Sequence, residues 1–294
     1  MYYIFYAFIW LFTWLPLRIL YIISDICFPV VYYLVRYRRG VVKTNISKSF
    51  PDKSEKERRR IEFRFYRFFC DLFVEMMYEM HISEQEIHKR MTFGNLNGIL
   101  EQNAKNKSVM IMTAHNGNWE WTLAFSMFSP ESYPSNPIYK RLRNEQFDKL
   151  MYQLRSRYGA DLIEKKDLMR VMFRLKKENR VGNFWMISDQ TPNARNIHFW
   201  TPFLHQDTPT LTGTEQLARK FDYPVFYADI IRLRRGYYHC EFIPVSLEPS
   251  KTKEFEITVK YMDLLQKSIE AHPEYWLWSH RRWKHQHKIE LIDE

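Results

Sequence analysis

The N-terminal apolar segment constrains this chain more than any other feature. Residues 2–17 (YYIFYAFIWLFTWLPL) carry no charge, Arg18 follows, and residues 19–35 form a second apolar run broken only by Asp25. Such a stretch must either be buried under the rest of the protein or be placed in lipid. A spanning helix takes about 20 apolar residues, a length that residues 2–23 reach if Arg18 snorkels to one side. A cleaved leader is disfavoured, because no basic residues precede the run and no small-residue cleavage site comes after it. The run ends in Arg36, Arg38 and Arg39, with Lys43 and Lys48 close behind, and this charge cluster favours a cytoplasmic position for the downstream domain. The expectation is therefore a membrane anchor over residues 1–36, as one span or as interfacial helices, and a cytosol-facing domain over 37–294. A buried core hairpin is the alternative.

Charge narrows the partners. With 44 basic against 34 acidic residues the chain carries a formal +10, which suits polyanions such as nucleic acid, anionic lipid or phosphorylated lipid. Cys27, Cys70 and Cys240 are widely separated and form no CxxC pair, so a disulfide framework or a zinc site is not expected. His280, His285 and His287 lie in a basic, Trp-rich tail that resembles a solvated terminus more than a ligand set.

Downstream, Ser54–Glu57 and Ser83–Glu86 carry capping patterns that should open a long and a short helix. Residues 108–114 read as a buried strand, with helices at about 144–158 and 166–178 and a strand at about 180–188. A turn-rich loop over 189–210, a helix at 211–221, a hairpin around Gly236 and a helix at 254–271 complete the order. Strands alternating with helices imply an α/β fold, a central mostly parallel sheet flanked by helices.

The segment His115-Asn116-Gly117-Asn118-Trp119-Glu120 comes directly after the buried strand. His115 should stand at a carboxyl end of the sheet, where α/β proteins gather ligands. On one helix, two residues five apart diverge by well over a quarter-turn. The pair can meet only if His115 precedes a helix that contains Glu120. A carboxylate on one ring nitrogen would then fix the tautomer and leave the other nitrogen to take a hydroxyl proton. The spacing alone equally allows a strand-end histidine beside a solvated Glu120. No G-x-S-x-G elbow is present, which argues against a covalent serine mechanism. Asp189, at the end of the next strand, begins a loop and serves either function or a turn. Arg141, Arg143, Arg155 and Arg157 are candidates for phosphate, whose oxygens suit the planar guanidinium fork. Each is equally an ordinary helix-surface charge. The Phe-rich helix and the Met-rich run at 76–80 either fill the core or shape a channel for an acyl chain.

Four blocks together resemble the bacterial lipid A biosynthesis acyltransferases, within the wider glycerolipid acyltransferase fold. They are Val41–Ile46 through Ser49-Phe50-Pro51, His115 to Glu120, Asp189-Gln190-Thr191-Pro192 with Phe203 and Thr208-Pro209-Thr210, and Pro273–Trp278 with His280–Trp283. The resemblance implies an O-acyltransferase without cofactor or metal. His115 and Glu120 would be catalytic, with Arg141, Arg155, Asp189, Gln190 and Arg281 binding substrate. It further implies an acyl-ACP or acyl-CoA donor, acyl carrier protein and an anionic phosphoglycolipid acceptor as partners, and no nucleic acid. The protein would act as a monomer on the cytoplasmic face of the bacterial inner membrane. An amino-acid lipid or another glycolipid is the alternative acceptor. Two departures stand out: His205 occupies a position the family often gives to Gly, and Tyr139-Lys140-Arg141-Leu142 replaces a Tyr-Arg-Pro segment.

Overall fold

A computed structural model describes residues 10–11, 13–142 and 144–286. The expected span over 2–23 therefore falls partly outside the described residues, as do Arg143 and His287.

The first long helix, α1 (Leu17–Pro29), continues as wider π-helical turns over Val30–Val35. Pro29 cannot donate to the α-helical ladder, and the change of winding begins directly after it. Leu17–Val35 is the one described helix long and apolar enough to reach across a membrane. It is not free-standing. Leu17, Leu20, Ser24 and Phe28 recur at helical spacing on a buried face, while Ile19, Ile22, Ile26, Val30 and Leu34 are exposed. The buried face lies along α3 (Glu55–Tyr78), with Ser24 donating to Asp71 at 2.8 Å. Between them comes α2 (Arg39–Ser49). The Ser54 capping box forms in full, its hydroxyl accepting from the Glu57 amide while Glu57 accepts from the Ser54 amide. Ser83 likewise caps α4 (Glu84–Arg90).

The sheet has seven strands: β1 (Met91–Gly94), β2 (Val109–Thr113), β3 (Ser135–Tyr139), β4 (Ile163–Glu164), β5 (Asn183–Ile187), β8 (Val225–Arg234) and β9 (Tyr237–Ser246). Their order across it is β1-β9-β8-β2-β5-β3-β4. Five neighbours from β8 to β4 run parallel, whereas β9 is antiparallel to β8 and carries β1 at the edge. Helices α5 (Leu96–Ala104), α6 (Glu145–Ser156), α7 (Leu168–Lys177) and α8 (Gly213–Phe221) lie in the connections between strands, and α9 (Glu256–Ala271) follows β9. The mostly parallel α/β architecture is as expected. Every residue of β2 is buried because both faces are covered. Met110 and Met112 join α9 residues Tyr261, Met262 and Leu265 on one face. Val109 and Ile111 join Leu17, Leu20, Phe68 and Leu72 on the other. The apolar N-terminal helix thus shares a core with the sheet.

Two expectations change. The helix expected from about residue 118 is a turn followed by a 3₁₀ helix, Trp121–Met127. Residues 121–125 are all buried, whereas a surface α-helix buries one stripe, and the i→i+3 bond from the Leu123 amide to the Glu120 carbonyl tightens the winding. The loop at 189–210 contains a hairpin, β6 (Trp200–Phe203) with β7 (Gln206–Pro209). Its turn residues Leu204 and His205 have φ of 49° and 59°, so the position where the family often has Gly is left-handed here. The short strands β1, β3 and β4 and the helices α2 and α5 lay outside the sequence reading.

Candidate active site

Strands β2 and β5 are parallel neighbours with Thr113 opposite Ile187. Continuing that register by two residues brings His115 opposite Asp189, just past the carboxyl ends of both strands. The side chains meet there. His115 Nδ1 lies 2.8 Å from Asp189 Oδ1, and the His115 amide donates to Oδ2 at 3.1 Å. Trp276 Nε1–H donates to the same Oδ2 at 2.9 Å. The histidine ring is partly open while Asp189 is buried. Burial alone would raise the Asp189 carboxyl, but the facing His115 charge and these donors outweigh it and hold the group below the ordinary carboxylate range. Behind it, Arg282 is fully buried, bonded to the Pro209 carbonyl at 2.7 Å. Burial pulls its guanidinium down to about 10, although the Asp189 charge opposes the shift.

The other ring nitrogen of His115, Nε2, stands 3.2 Å from the Gln190 side-chain nitrogen. Trp119 packs edge-on to the ring at 5.0 Å. These two side chains also wall a cleft of about 320 Å³. Helix α3 supplies Phe69, Leu72, Phe73 and Met76 to the cleft, and His280 lines it as well. The His280 imidazole is pushed down to about 4, chiefly by burial, so it is neutral at ordinary pH.

Glu120 does not reach His115. Its oxygens accept from Arg155 in a fork, Nε to Oε2 at 2.9 Å and Nη2 to Oε1 at 2.6 Å, and Trp119 Nε1–H donates to Oε1 at 3.2 Å. The expected His115–Glu120 contact is thus replaced by His115–Asp189, and the cause is how the turn is pinned. Asn116 bridges Trp276, the Gly117 amide donates to the Tyr275 carbonyl at 3.0 Å, and Asn118 donates to Glu75 at 3.0 Å. Gly117 has φ +58°, and a Cβ there would fall 2.6 Å from Ile230 Cγ2, so a side chain is excluded. Nearby Glu79 is buried, and its burial, with Glu120 adding to it, pushes the carboxyl well up despite Arg155 and Arg157.

The remaining expected site residues are scattered. Arg141 is exposed and sits 3.5 Å from Asp148. Arg157 binds the Glu79 and Ile82 carbonyls, a scaffold role. Arg281 is exposed, while its neighbour Arg282 turns inward. Sequence reasoning missed Trp276 and Arg282 as supports of Asp189, Glu75 as a support of the turn, and His280 as a cleft wall. The repeated Trp in Trp276-Leu277-Trp278, with only the indole N–H to satisfy, was a usable sign for the first.

A strand-end histidine held by a buried aspartate, beside an apolar cleft, is an arrangement suited to proton transfer. The whole-chain comparisons give the family: residues 1–285 match the bacterial lipid A biosynthesis acyltransferase model, and the chain belongs to that family as an O-acyltransferase. Similar proteins include a lipid A biosynthesis lauroyltransferase of Escherichia coli K12, 25% identical over 94% of this chain and 92% of that one. The palmitoleoyltransferase of the same strain and a lipid A biosynthesis acyltransferase of Shigella flexneri are each 22% identical over 94% of this chain and 91% of theirs.

Proposed function

We propose that this protein transfers a fatty acyl chain from an acyl thioester, carried by acyl carrier protein or CoA, to a hydroxyl of a lipid A precursor, with His115 as general base. The observation that carries this reading is the His115–Asp189 pair beside an apolar cleft, two of whose walls, Trp119 and Gln190, touch the histidine ring. Nδ1–H donates to Asp189, so Nε2 carries the free lone pair; the Gln190 amide nitrogen lies over the ring, 3.4 Å from Nδ1 and 3.2 Å from Nε2, and leaves that lone pair to a substrate hydroxyl. His115 takes the hydroxyl proton as the oxygen attacks the thioester carbonyl. Asp189 stabilises the imidazolium that forms. The tetrahedral oxyanion is met by a donor beside Nε2, for which the Gln190 amide is placed. Collapse breaks the carbon–sulfur bond, and the leaving thiolate takes the proton back from His115. The acyl chain lies among Phe69, Leu72, Phe73 and Met76, the apolar wall of that cleft.

Glu120 acts through Arg155 in this reading. Two guanidinium nitrogens are held by Glu120, and Arg155 forms one edge of a small pocket shared with Thr113, Tyr139 and Ile187. A phosphate of the acceptor suits that edge. The exposed apolar face of Leu17–Val35, with Arg36, Arg38 and Arg39 directly after it, supports seating at the cytoplasmic face of the inner membrane. Mass spectrometry of membrane lipids from cells making wild-type protein or His115→Ala tests the reading. A lipid A species heavier by one acyl chain in the wild type and absent with the variant is expected. Acylation that persists with His115→Ala, or that appears on an amino-acid lipid instead, contradicts it.

A further inference from the structure

Glu75 is a buried acidic side chain that the acyl-transfer steps do not use. It lies on α3, is fully buried, and three donors converge on it from three different elements. Tyr21 of α1 donates to Oε1 at 2.7 Å. Tyr238 of β9 donates to Oε2 at 2.6 Å, and Asn118 of the turn between His115 and Glu120 donates to Oε2 at 3.0 Å. Arg232 of β8 adds an ion pair at 3.8 Å. A carboxyl group placed in a core is costly unless its acceptors are filled, and here both oxygens are. The arrangement is also directional. Asn118 spends its N–H₂ on Glu75 and its Oδ1 on the Trp121 amide, 3.2 Å away, so the same side chain closes the first turn of the 3₁₀ helix. Removing the acceptor would leave the Asn118 amide unpaired and free the segment that sets both His115 and Glu120.

We propose that Glu75 is a positioning residue for acyl transfer, locking the catalytic turn through Asn118 and tying it through Tyr21 to the N-terminal apolar helix. The inference rests on His115 being the base, since only then does the geometry of this turn govern turnover. It assigns to α1 a part in catalysis beyond attachment. That helix is held on the same side by Ser24 to Asp71 at 2.8 Å and by Asp25 to Arg235 at 2.9 Å, so its position is fixed relative to the turn. The role requires hydrogen-bond acceptance rather than a full charge. Burial raises the Glu75 carboxyl, against the pull of Arg232 and the two tyrosine hydroxyls, and both protonation states keep an oxygen toward Asn118.

This predicts an unequal response to two similar substitutions. In Glu75→Gln the amide oxygen can take the Oε2 place and still accept from Asn118 and Tyr238, while the amide N–H₂ meets the Tyr21 oxygen. Glu75→Met fills the space and accepts nothing. Steady-state kinetics on the full-length protein in mixed micelles, with a saturated acyl thioester and a lipid A precursor, separate the cases. A misplacement near 1 Å costs on the order of 100-fold, so Glu75→Met should lose about that in kcat with KM within about two-fold. Glu75→Gln should recover to within about five-fold of wild type, and Asn118→Ala should match Glu75→Met, with no further loss in the double variant. Wild-type kcat in folded Glu75→Met, equal damage from Gln and Met, or additive losses would overturn the proposal. If Glu75→Met does not fold, Asn118→Ala decides alone, and full turnover by it is contradictory. His115→Ala is the control: turnover surviving in that variant removes the base, and this inference with it, whereas a dead control beside an indifferent Glu75→Met defeats the Glu75 role alone.

Discussion

Two buried acid–base pairs stand at either end of the segment from His115 to Glu120, and they differ in what they leave open. In His115–Asp189 the carboxylate is filled by three donors, while the imidazole is partly exposed and keeps Nε2 free of any carboxylate. In Glu120–Arg155 both carboxylate oxygens are taken by a guanidinium fork. The first pair can exchange a proton with a substrate. The second presents a fixed cation: burial works against the Arg155 charge, but Glu120 raises the group above its ordinary value and keeps it charged. One histidine and two carboxylates therefore divide, in the function proposed above, into a pair suited to proton transfer and a pair suited to holding an anion. The difference comes from partner chemistry, and both carboxylates are equally hidden from water.

That division can be broken by substitution. Asp189→Asn should have the largest effect, because one amide oxygen cannot accept from the His115 ring, the His115 amide and Trp276 together. A loss of about 10³-fold in kcat with little change in KM is expected from steady-state rates, in the range typical of general acid–base groups. Arg155→Met should instead raise KM for a phosphorylated acceptor by about ten-fold, and should destabilise the fold by about 3 kcal/mol by stranding Glu120. Differential scanning fluorimetry beside the kinetics reads both. Acid stability gives a smaller signal. The Asp189 carboxyl lies below its ordinary value in the folded state. Its contribution is therefore complete above the ordinary range, about pH 4, and is lost as pH falls through the lower folded-state value. Melting temperatures recorded downward from about pH 5 should fall more steeply for the wild type than for Asp189→Asn. The smallest effect belongs to His205→Gly. It relieves a left-handed φ of 59° but adds backbone freedom to the unfolded chain. The balance should raise stability by under about 1 kcal/mol, measured by urea denaturation, and leave turnover unchanged.

Much of the frame was legible in the amino-acid sequence. Residues 108–114 form a buried strand because their run of apolar side chains suits a sheet covered on both faces, and Ser54 and Glu57 start their helix through a purely local exchange of bonds. His115 was placed at the strand end for the same local reason. Its partner was not legible. The choice between Glu120 and Asp189 depends on β2 and β5 lying side by side in a register that no short stretch encodes. Glu120 was the nearer carboxylate along the chain, but Arg155 sits on α6, 35 residues later, and only packing brings them together. The same holds for Glu75, whose donors come from Tyr21, Asn118 and Tyr238. The short strands β1 and β4 were illegible for a different reason: with so few residues they carry no period to detect.

The central claim is that Asp189 works through His115 and Glu120 does not. A double-mutant cycle on single-turnover acyl transfer addresses it, with Asp189→Asn and Glu120→Gln each made in wild-type and His115→Ala backgrounds. The account predicts that Asp189→Asn becomes silent once His115 is gone, while Glu120→Gln keeps the cost it has in the wild type. A silent Glu120→Gln in the His115→Ala background, beside an undiminished cost for Asp189→Asn, would contradict it and return Glu120 to the place of the histidine's partner.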